Sequence, residues 1–242
     1  MRDAKKDAAE MAERRGCLLE AGFSLFSARS IEAVKLTEIA EKAGLGIVTL
    51  YRYFKTKPAL VIELGTKMWH EYYVEVEKAY AARNGSAMNA AEEMEFFIDS
   101  IIELYRSHKD VLKFNRNFDT YVKHEECTAE QMRPYKEAVN VFARKFHTVY
   151  LKAKKDGTID TSIPEQRLFV NTLYTFLSVA GKYAEGLVYP SEVHHDMLED
   201  LLMLKRVVLD SIVKGTRGRT GGTGESLASH ARHSADQKGA KP

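Results

Sequence analysis

The sequence predicts an all-α protein, and three observations lead to this prediction. Apolar residues recur with helical periodicity along most of the 242-residue chain, and no segment shows a convincing alternation of period two. Only five prolines interrupt the chain, and three of them (Pro58, Pro134 and Pro164) stand where a helix could begin. We therefore expect about nine helices, over roughly 7–28, 36–43, 47–54, 58–83, 87–106, 109–124, 130–156, 163–187 and 192–214.

Bulk composition favours a cytoplasmic protein. Apolar residues make up 45% of the chain and charged residues 29%, which is ordinary for a globular protein. The apolar runs are far shorter than the roughly 18 residues that a membrane span requires, and the charged N-terminus lacks the apolar segment of a secretory signal. The two cysteines, Cys17 and Cys127, do not form a disulfide framework, so we expect a reducing compartment.

The charge is distributed unevenly along the chain. Residues 1–60 hold eleven Lys and Arg against eight Asp and Glu, whereas residues 61–214 hold twenty against twenty-four. The stretch from Lys42 to Lys57 contains four cations and no acid. A basic end on a mildly acidic body indicates an anionic partner for the N-terminal part alone.

The segment from residue 36 to residue 54 has the pattern of two short helices around a glycine turn. The first helix carries one apolar stripe at the spacing i, i+3, i+4 and i+7, formed by Leu36, Ile39, Ala40 and Ala43. Gly44 can end this helix, and the second helix carries Leu50 and Phe54 on its inner side. With the preceding amphipathic helix, this pattern predicts a helix-turn-helix within a three-helix unit.

The outer side of the second short helix can read DNA bases. If Leu50 points to the core, the rotation of about 100° per residue places Val48 and Arg52 on the opposite side, with Thr49 and Lys55 nearby. Arginine can form a bidentate pair with guanine that contributes about 1–3 kcal/mol of discrimination, and Val48 and the Thr49 methyl could contact thymine methyl groups. A solvated surface position is the alternative for Arg52.

A dozen positions between residues 14 and 60 have a spacing specific to one family. They include Ile39-Ala40, Ala43-Gly44, Leu50-Tyr51, Tyr53-Phe54, Lys57 and Leu60. In these positions the segment resembles the DNA-binding domain of the TetR (tetracycline-repressor-like) family. The resemblance implies a homodimeric all-α transcription regulator, usually a repressor that a small molecule releases from DNA.

By this resemblance, Tyr51, Tyr53 and Lys57 contact phosphates, while variable positions of the second short helix meet bases. Two positions depart from the family pattern, which commonly has Thr at Lys35 and often Ser or Thr at Gly46. The residues predicted to bind DNA are Lys35, Thr37, Ile47, Val48, Thr49, Tyr51, Arg52, Tyr53, Lys55 and Lys57.

The last predicted helix carries an unusually wide apolar stripe. Along 197–213, apolar residues fill about half of the circumference, which is too broad for one contact. A two-fold, four-helix interface with the preceding helix would account for this width, and a deeply buried monomer core is the alternative. The predicted interface residues are Leu168, Thr172, Thr175, Val179, Leu198, Leu201, Leu202, Lys205, Val208, Leu209 and Ile212. Within this arc, Lys205 needs an acidic partner or an edge position.

A set of aromatic residues lies between the DNA-binding unit and this interface. Each of them is either a core residue or a ligand contact, and the pattern leaves both open. Together they predict a cavity for a small apolar or aromatic effector. The residues predicted to line it are Phe97, Tyr105, Phe114, Phe118, Tyr121, Phe142, Phe146 and Tyr150.

These features divide the chain into three parts. We expect a helix-turn-helix DNA-binding domain at 1–56 and a ligand-binding and dimerisation domain at 57–214. The tail, 215–242, has almost no large apolar side chain, so we expect it to be disordered.

The sequence favours a regulator over an enzyme. It contains no phosphate-binding glycine loop, no nucleophile elbow and no zinc-protease motif, so we expect no catalytic residues, no metal and no cofactor. The expected partners are double-stranded operator DNA, a second copy of the chain and a small-molecule effector, without a membrane. The alternative is an all-α small-molecule carrier or enzyme whose N-terminal helices are only structural.

Overall fold

The computed structural model describes residues 4–186 and 197–214, and the regular elements within these ranges are helical. The prediction of an all-α fold is confirmed. The helices are α1 (Ala4–Ala28), α2 (Leu36–Lys42), α3 (Ile47–Tyr53), α4 (Lys57–Ala82), α5 (Ala90–Ser107), α6 (Lys109–His124), α7 (Arg133–Asp156), α8 (Glu165–Phe169, Val170–Tyr174 and Thr175–Glu185) and α9 (Met197–Ile212). A 3-10 turn at Gly85–Ala87 precedes α5. The disorder predicted for 215–242 concerns residues outside the described ranges.

Helix α8 contains a π-helical turn at Val170–Tyr174 that the sequence pattern did not predict. The Thr175 backbone amide bonds to the Val170 carbonyl oxygen, five residues back, as a π turn requires, and the Thr175 hydroxyl donates to the same oxygen at 2.8 Å. The extra residue of a π turn shifts the faces of the helix that follow it. The turn therefore changes which side chains of α8 face the rest of the subunit.

The turn between α2 and α3 follows the predicted glycine pattern. Gly44 has a φ of +67°, in the left-handed region that glycine occupies without steric cost. Beyond it, the Leu45 amide donates to the Ala40 carbonyl oxygen at 2.9 Å, and this bond closes the C-terminus of α2. The chain can then restart as α3 after Gly46, so two short helices pack at an angle within one small unit.

Two clusters of buried side chains form the core. The first joins α1, α2 and α3 to the start of α4 and to α6, and it includes Leu18, Leu60 and Phe118. The second joins the rest of α4 to α5, α7, α8 and α9. Because the first cluster continues from the helix-turn-helix into α4 and α6, it crosses the predicted domain boundary at residue 56, and that boundary stays a prediction.

Polar contacts hold α1 against the body of the chain. The Asn117 side-chain amide donates to the carbonyl oxygens of Phe26 at 2.8 Å and Arg29 at 3.1 Å, at the C-terminal end of α1. These contacts satisfy carbonyl groups that lack partners at a helix end. The Arg15 Nε also donates to the Glu63 carboxylate of α4 at 2.7 Å. Helix α1 therefore links the helix-turn-helix to both α4 and α6.

Candidate nucleic-acid interface

Helix α3 has one buried side and one exposed side, in the orientation that the residue spacing predicts. Leu50 is 0% exposed and Phe54 is 1% exposed, so both are enclosed by the core. On the other side, Val48 is 81% exposed, Tyr51 is 52% exposed and Arg52 is exposed. The buried pair holds α3 in place, while the outer residues remain accessible to a duplex.

Two other predicted residues of α3 lie only partly at the surface. Ile47 and Thr49 are half-buried, and Ile47 packs against the first core cluster. The Arg52 guanidinium lies 5.4 Å from the centre of the Tyr53 ring, a cation–π contact that leaves the charge at the surface. Fewer residues of α3 are therefore fully exposed than were predicted to bind DNA.

The three predicted phosphate contacts differ in accessibility. The Tyr51 side chain projects into solvent, but the Tyr53 hydroxyl is buried and has no hydrogen-bond partner among the described residues. A phosphate could reach that hydroxyl only after local rearrangement, so the two tyrosines differ in accessibility, and their contacts with phosphate stay a prediction. Lys57 is half-buried and its Nζ donates to the Glu32 carbonyl oxygen at 3.1 Å. Burial lowers the pKa of Lys57, and nearby Glu32 partly opposes this shift.

The start of α2 shows how the chain accommodates Lys35 at the helix N-cap. The Lys35 amide donates to the Glu38 carboxylate at 2.8 Å, so the acid in the first turn satisfies the helix terminus. This amide and then the Arg29 guanidinium lower the pKa of Glu38. The side chains of Lys35 and Thr37 remain exposed, as does Lys55 beyond α3. All three side chains are accessible to the phosphate backbone of an approaching DNA duplex.

The eight aromatic residues predicted to line one cavity are divided between the two core clusters. Phe97, Tyr105, Phe146 and Tyr150 are buried in the second cluster. In the first cluster, Phe114, Phe118 and Tyr121 are buried and Phe142 packs against them. The rings pack on each other and on aliphatic neighbours; for example, Phe118 stacks on Tyr135 at 4.3 Å between ring centres. The structure therefore does not bring the eight together around one cavity, and their contact with a ligand stays a prediction.

Four of the predicted interface residues are enclosed by their own subunit. These are Leu168, Thr172, Leu201 and Ile212. A fifth, Lys205, donates to Asp99 at 2.6 Å and pairs with Glu95 at 2.8 Å, so it binds helix α5 of its own chain. Leu202 is exposed, and the remaining members, Thr175, Val179, Leu198, Val208 and Leu209, are half-buried. Five of the eleven predicted residues therefore contact their own subunit, and the location of a dimer interface stays a prediction.

The apolar residues that α8 and α9 expose to solvent are mostly not the predicted interface residues. Tyr174 and Val170 project from α8, and Met203 and Val207 project from α9, where they are 64% and 56% exposed. The spacing of four residues between Met203 and Val207 is visible in the sequence, but neither residue was among the predicted interface residues. We call these four residues the α8–α9 face.

Two further features of the described residues concern membrane-spanning helices and metal-binding groups. Across the described ranges, the helices lack the combination of length and hydrophobicity that crossing a bilayer requires. The same residues contain no group of three or more His, Cys, Asp or Glu arranged to hold a metal ion.

The fold and the exposed side of α3 define a helix-turn-helix unit of the kind found in DNA-binding proteins. Residues 18–64 match the family model of the bacterial regulatory proteins, tetR family. Residues 18–64 therefore match the N-terminal domain of the tetR family, which confirms the resemblance over this segment.

One curated relative is the HTH-type transcriptional regulator SAR2658 of Staphylococcus aureus (strain MRSA252). It is 27% identical over 112 residues, which are 45% of this chain and 55% of the relative. The match thus spans about half the length of that protein. The similarity to this regulator therefore does not extend to the whole chain.

Solved structures with the same fold cover most of the chain. The ketosteroid transcriptional regulator KstR2 of Mycobacterium tuberculosis aligns with a TM-score of 0.59 at 16% identity, over 83% of this chain and 95% of KstR2. The regulator FadR from Bacillus subtilis, solved in complex with stearoyl-CoA, aligns with a TM-score of 0.62 at 14% identity, over 81% of this chain and 98% of FadR. At these identities the likeness concerns the fold.

Proposed function

We propose that this protein is a ligand-responsive transcriptional repressor that binds two-fold-symmetric operator DNA as a homodimer in the cytoplasm, without catalytic activity. The observation that carries the proposal is the orientation of α3, with Leu50 and Phe54 enclosed and Val48, Tyr51 and Arg52 exposed. A recognition helix must be held rigidly and must offer side chains to the major groove, and α3 meets both requirements.

The α8–α9 face supports the dimer. The four apolar side chains of this face project from two helices that contact each other, and exposed apolar surface of this kind is typical of a protein–protein contact. Two helices from each subunit can pack as a four-helix bundle about a two-fold axis. Such a dimer would present two copies of α3, as a symmetric operator requires.

Substitution of Val207 by glutamate should weaken this dimer. Burying a carboxylate without a partner costs several kcal/mol, so we expect the dimer dissociation constant to rise about a hundredfold. Sedimentation velocity over a range of concentrations would measure the change. Val74→Glu is the matched control, because Val74 is also an exposed valine but lies on α4. An unchanged dimer in the Val207→Glu variant would contradict this location of the interface.

The similarity to KstR2 and FadR supports a response to small molecules. FadR was solved in complex with stearoyl-CoA, so a protein of this fold can bind a ligand that carries a long alkyl chain. We propose that an effector with an apolar or aromatic body favours one arrangement of the helices and thereby changes the separation of the two α3 helices. The aromatic residues of the two core clusters would change their packing when the helices rearrange.

Selection of genomic DNA fragments bound by the purified protein tests the proposed function. We expect enrichment of a sequence with two-fold symmetry and binding that weakens steeply with salt. Arg52→Ala should relax the preference at one base pair of each half-site, at a cost of about 1–3 kcal/mol in affinity. The control is Lys136→Ala, which removes an exposed cation of α7. Enrichment of no sequence would overturn the proposal and favour a carrier or an enzyme.

A further inference from the structure

A cavity of about 290 Å³ lies where the helix-turn-helix unit meets the body of the chain. It is bounded by α1, by α4, by the end of α5 and by the start of α6. Apolar side chains from all four helices line it, including Leu19, Phe23, Leu64, Leu104 and Val111. We call it the junction cavity. Its size is at the lower end of the range of small-molecule pockets, which is about 300–1,000 Å³.

The polar lining of the junction cavity is predominantly acidic. Glu20, Glu71, Glu75 and Asp110 contribute carboxylates. Lys67 is the lysine of the lining, and its Nζ already pairs with Glu71 at 2.7 Å. The negative charge of the other three carboxylates therefore exceeds the positive charge that faces it, with His108 as the remaining titratable neighbour.

Two of these carboxylates, Glu20 and Glu75, are exposed and form no ion pair within the part of the chain that the structure describes. They approach the cavity from different helices, α1 and α4, so their arrangement depends on the tertiary contact and not on one helix face. Asp110 accepts a hydrogen bond from the Val111 amide at 3.0 Å through one oxygen, and its second oxygen can face a ligand. A cation placed here would meet carboxylates from more than one side.

Aromatic rings and a neighbouring cavity extend the apolar part of this site. Phe23 and Tyr72 line the junction cavity, and the faces of aromatic rings attract cations. A second cavity of about 490 Å³ shares Tyr72, Glu75, Leu104 and His108 with the first. The two cavities therefore adjoin at these residues, and Val76, Phe96 and Leu202 contribute apolar surface to the second.

We propose that the junction cavity binds a small amphiphilic cation, an organic ammonium with an aryl or alkyl body. The apolar lining accommodates the body, and Glu20, Glu75 and Asp110 attract the charge. The site also couples ligand binding to DNA binding, an inference that rests on the proposed function. It lies between α1 of the DNA-binding unit and α4 to α6, so a bound ligand favours one relative position of these helices.

The sole tryptophan of the chain provides a direct test of binding. Trp69 follows Met68, which lines the cavity, and its ring centre lies 5.8 Å from that of Tyr72. Tryptophan fluorescence would be titrated with 4-phenylbutyltrimethylammonium, with the neutral analogue that has a tert-butyl group in place of trimethylammonium, and with stearoyl-CoA. We expect the cation to bind at least about tenfold more tightly than the neutral analogue. Equal affinities, or tighter binding of stearoyl-CoA, would overturn the proposal.

Isosteric variants identify the carboxylates responsible. The double substitution Glu20→Gln with Glu75→Gln should weaken binding of the cation about tenfold and leave the neutral analogue unaffected, and added salt should reduce the difference. Glu137→Gln is the matched control, because Glu137 is an exposed acid on α7, away from the cavity. Unchanged affinity in the double variant would refute the assigned residues.

The binding assay uses no DNA, so its outcome is independent of the proposed function. If genomic selection enriches no sequence while the cation still binds, the regulatory function fails and the site stands. If an operator is found and the cation does not bind, the site fails and the regulatory function stands. Where both succeed, the cation should change operator affinity in the native chain and have a smaller effect in the Glu20→Gln, Glu75→Gln variant.

Discussion

Replacement of Leu50 by alanine should lower the free energy of unfolding by about 2–5 kcal/mol and abolish operator binding. Leu50 is 0% exposed and lies within the first core cluster, so the truncation leaves a cavity beneath α3. Because α3 has only seven residues, it depends on this contact and not on intrinsic helix stability. Urea denaturation and a fluorescence anisotropy titration with operator DNA would measure the two effects.

Val48→Ala on the same helix is the matched control. Val48 is 81% exposed, so its truncation should change the free energy of unfolding by no more than about 0.5 kcal/mol. Operator affinity should nevertheless fall if this side of α3 lies in the major groove. Equal stability losses in the two variants would contradict the orientation of α3 on which the proposed function depends.

Replacement of Lys152 by methionine should destabilise the chain by about 3–5 kcal/mol, because it leaves a buried carboxylate without its cationic partner. Glu93 is buried on α5, and Lys152 of α7 pairs with it and donates to the Met88 carbonyl oxygen at 2.9 Å. The Tyr80 hydroxyl lies 2.6 Å from the same carboxylate. Burial, and next the Glu93 carboxylate, raises the pKa of Tyr80, so this hydroxyl remains a donor at neutral pH. Chemical denaturation at neutral pH would measure the loss.

Two further variants distinguish the buried charge from a general loss of packing. Lys155→Met removes an exposed lysine near the end of the same helix and should be close to neutral. Glu93→Met in the Lys152→Met background removes the second charge and should recover much of the lost stability. If the double variant is no more stable than Lys152→Met, the isolated carboxylate is not the cause.

The helix-turn-helix was predictable because its geometry is local. The glycine at position 44 and the stripes on either side of it lie within nineteen residues, and an angular position on a helix follows from residue spacing alone. Val48 and Leu50 therefore occupy opposite sides in the structure, as the spacing predicts. The burial of the Tyr53 hydroxyl was not predictable in this way, because it depends on packing around α3 that the spacing of α3 does not encode.

The outward side of α8 and α9 was harder to predict, because these helices are apolar on more than one side. Residue spacing shows that Leu201 and Met203 point in different directions, but it does not show which of them meets α5 of the same subunit. In the structure Leu201 is buried and Met203 is exposed. The π turn in α8 adds a second difficulty, because one extra residue rotates the following face.

By itself, the sequence determined the all-α class, the helix-turn-helix and the exposed side of α3, because helix periodicity, glycine conformation and residue spacing act over short stretches of chain. Only the tertiary structure decided that the aromatic residues divide between two core clusters, and that Glu20 and Glu75 meet at one cavity. Those positions are set by contacts between helices that are distant in sequence. The local sequence around an apolar or acidic residue does not show which helix its side chain will contact.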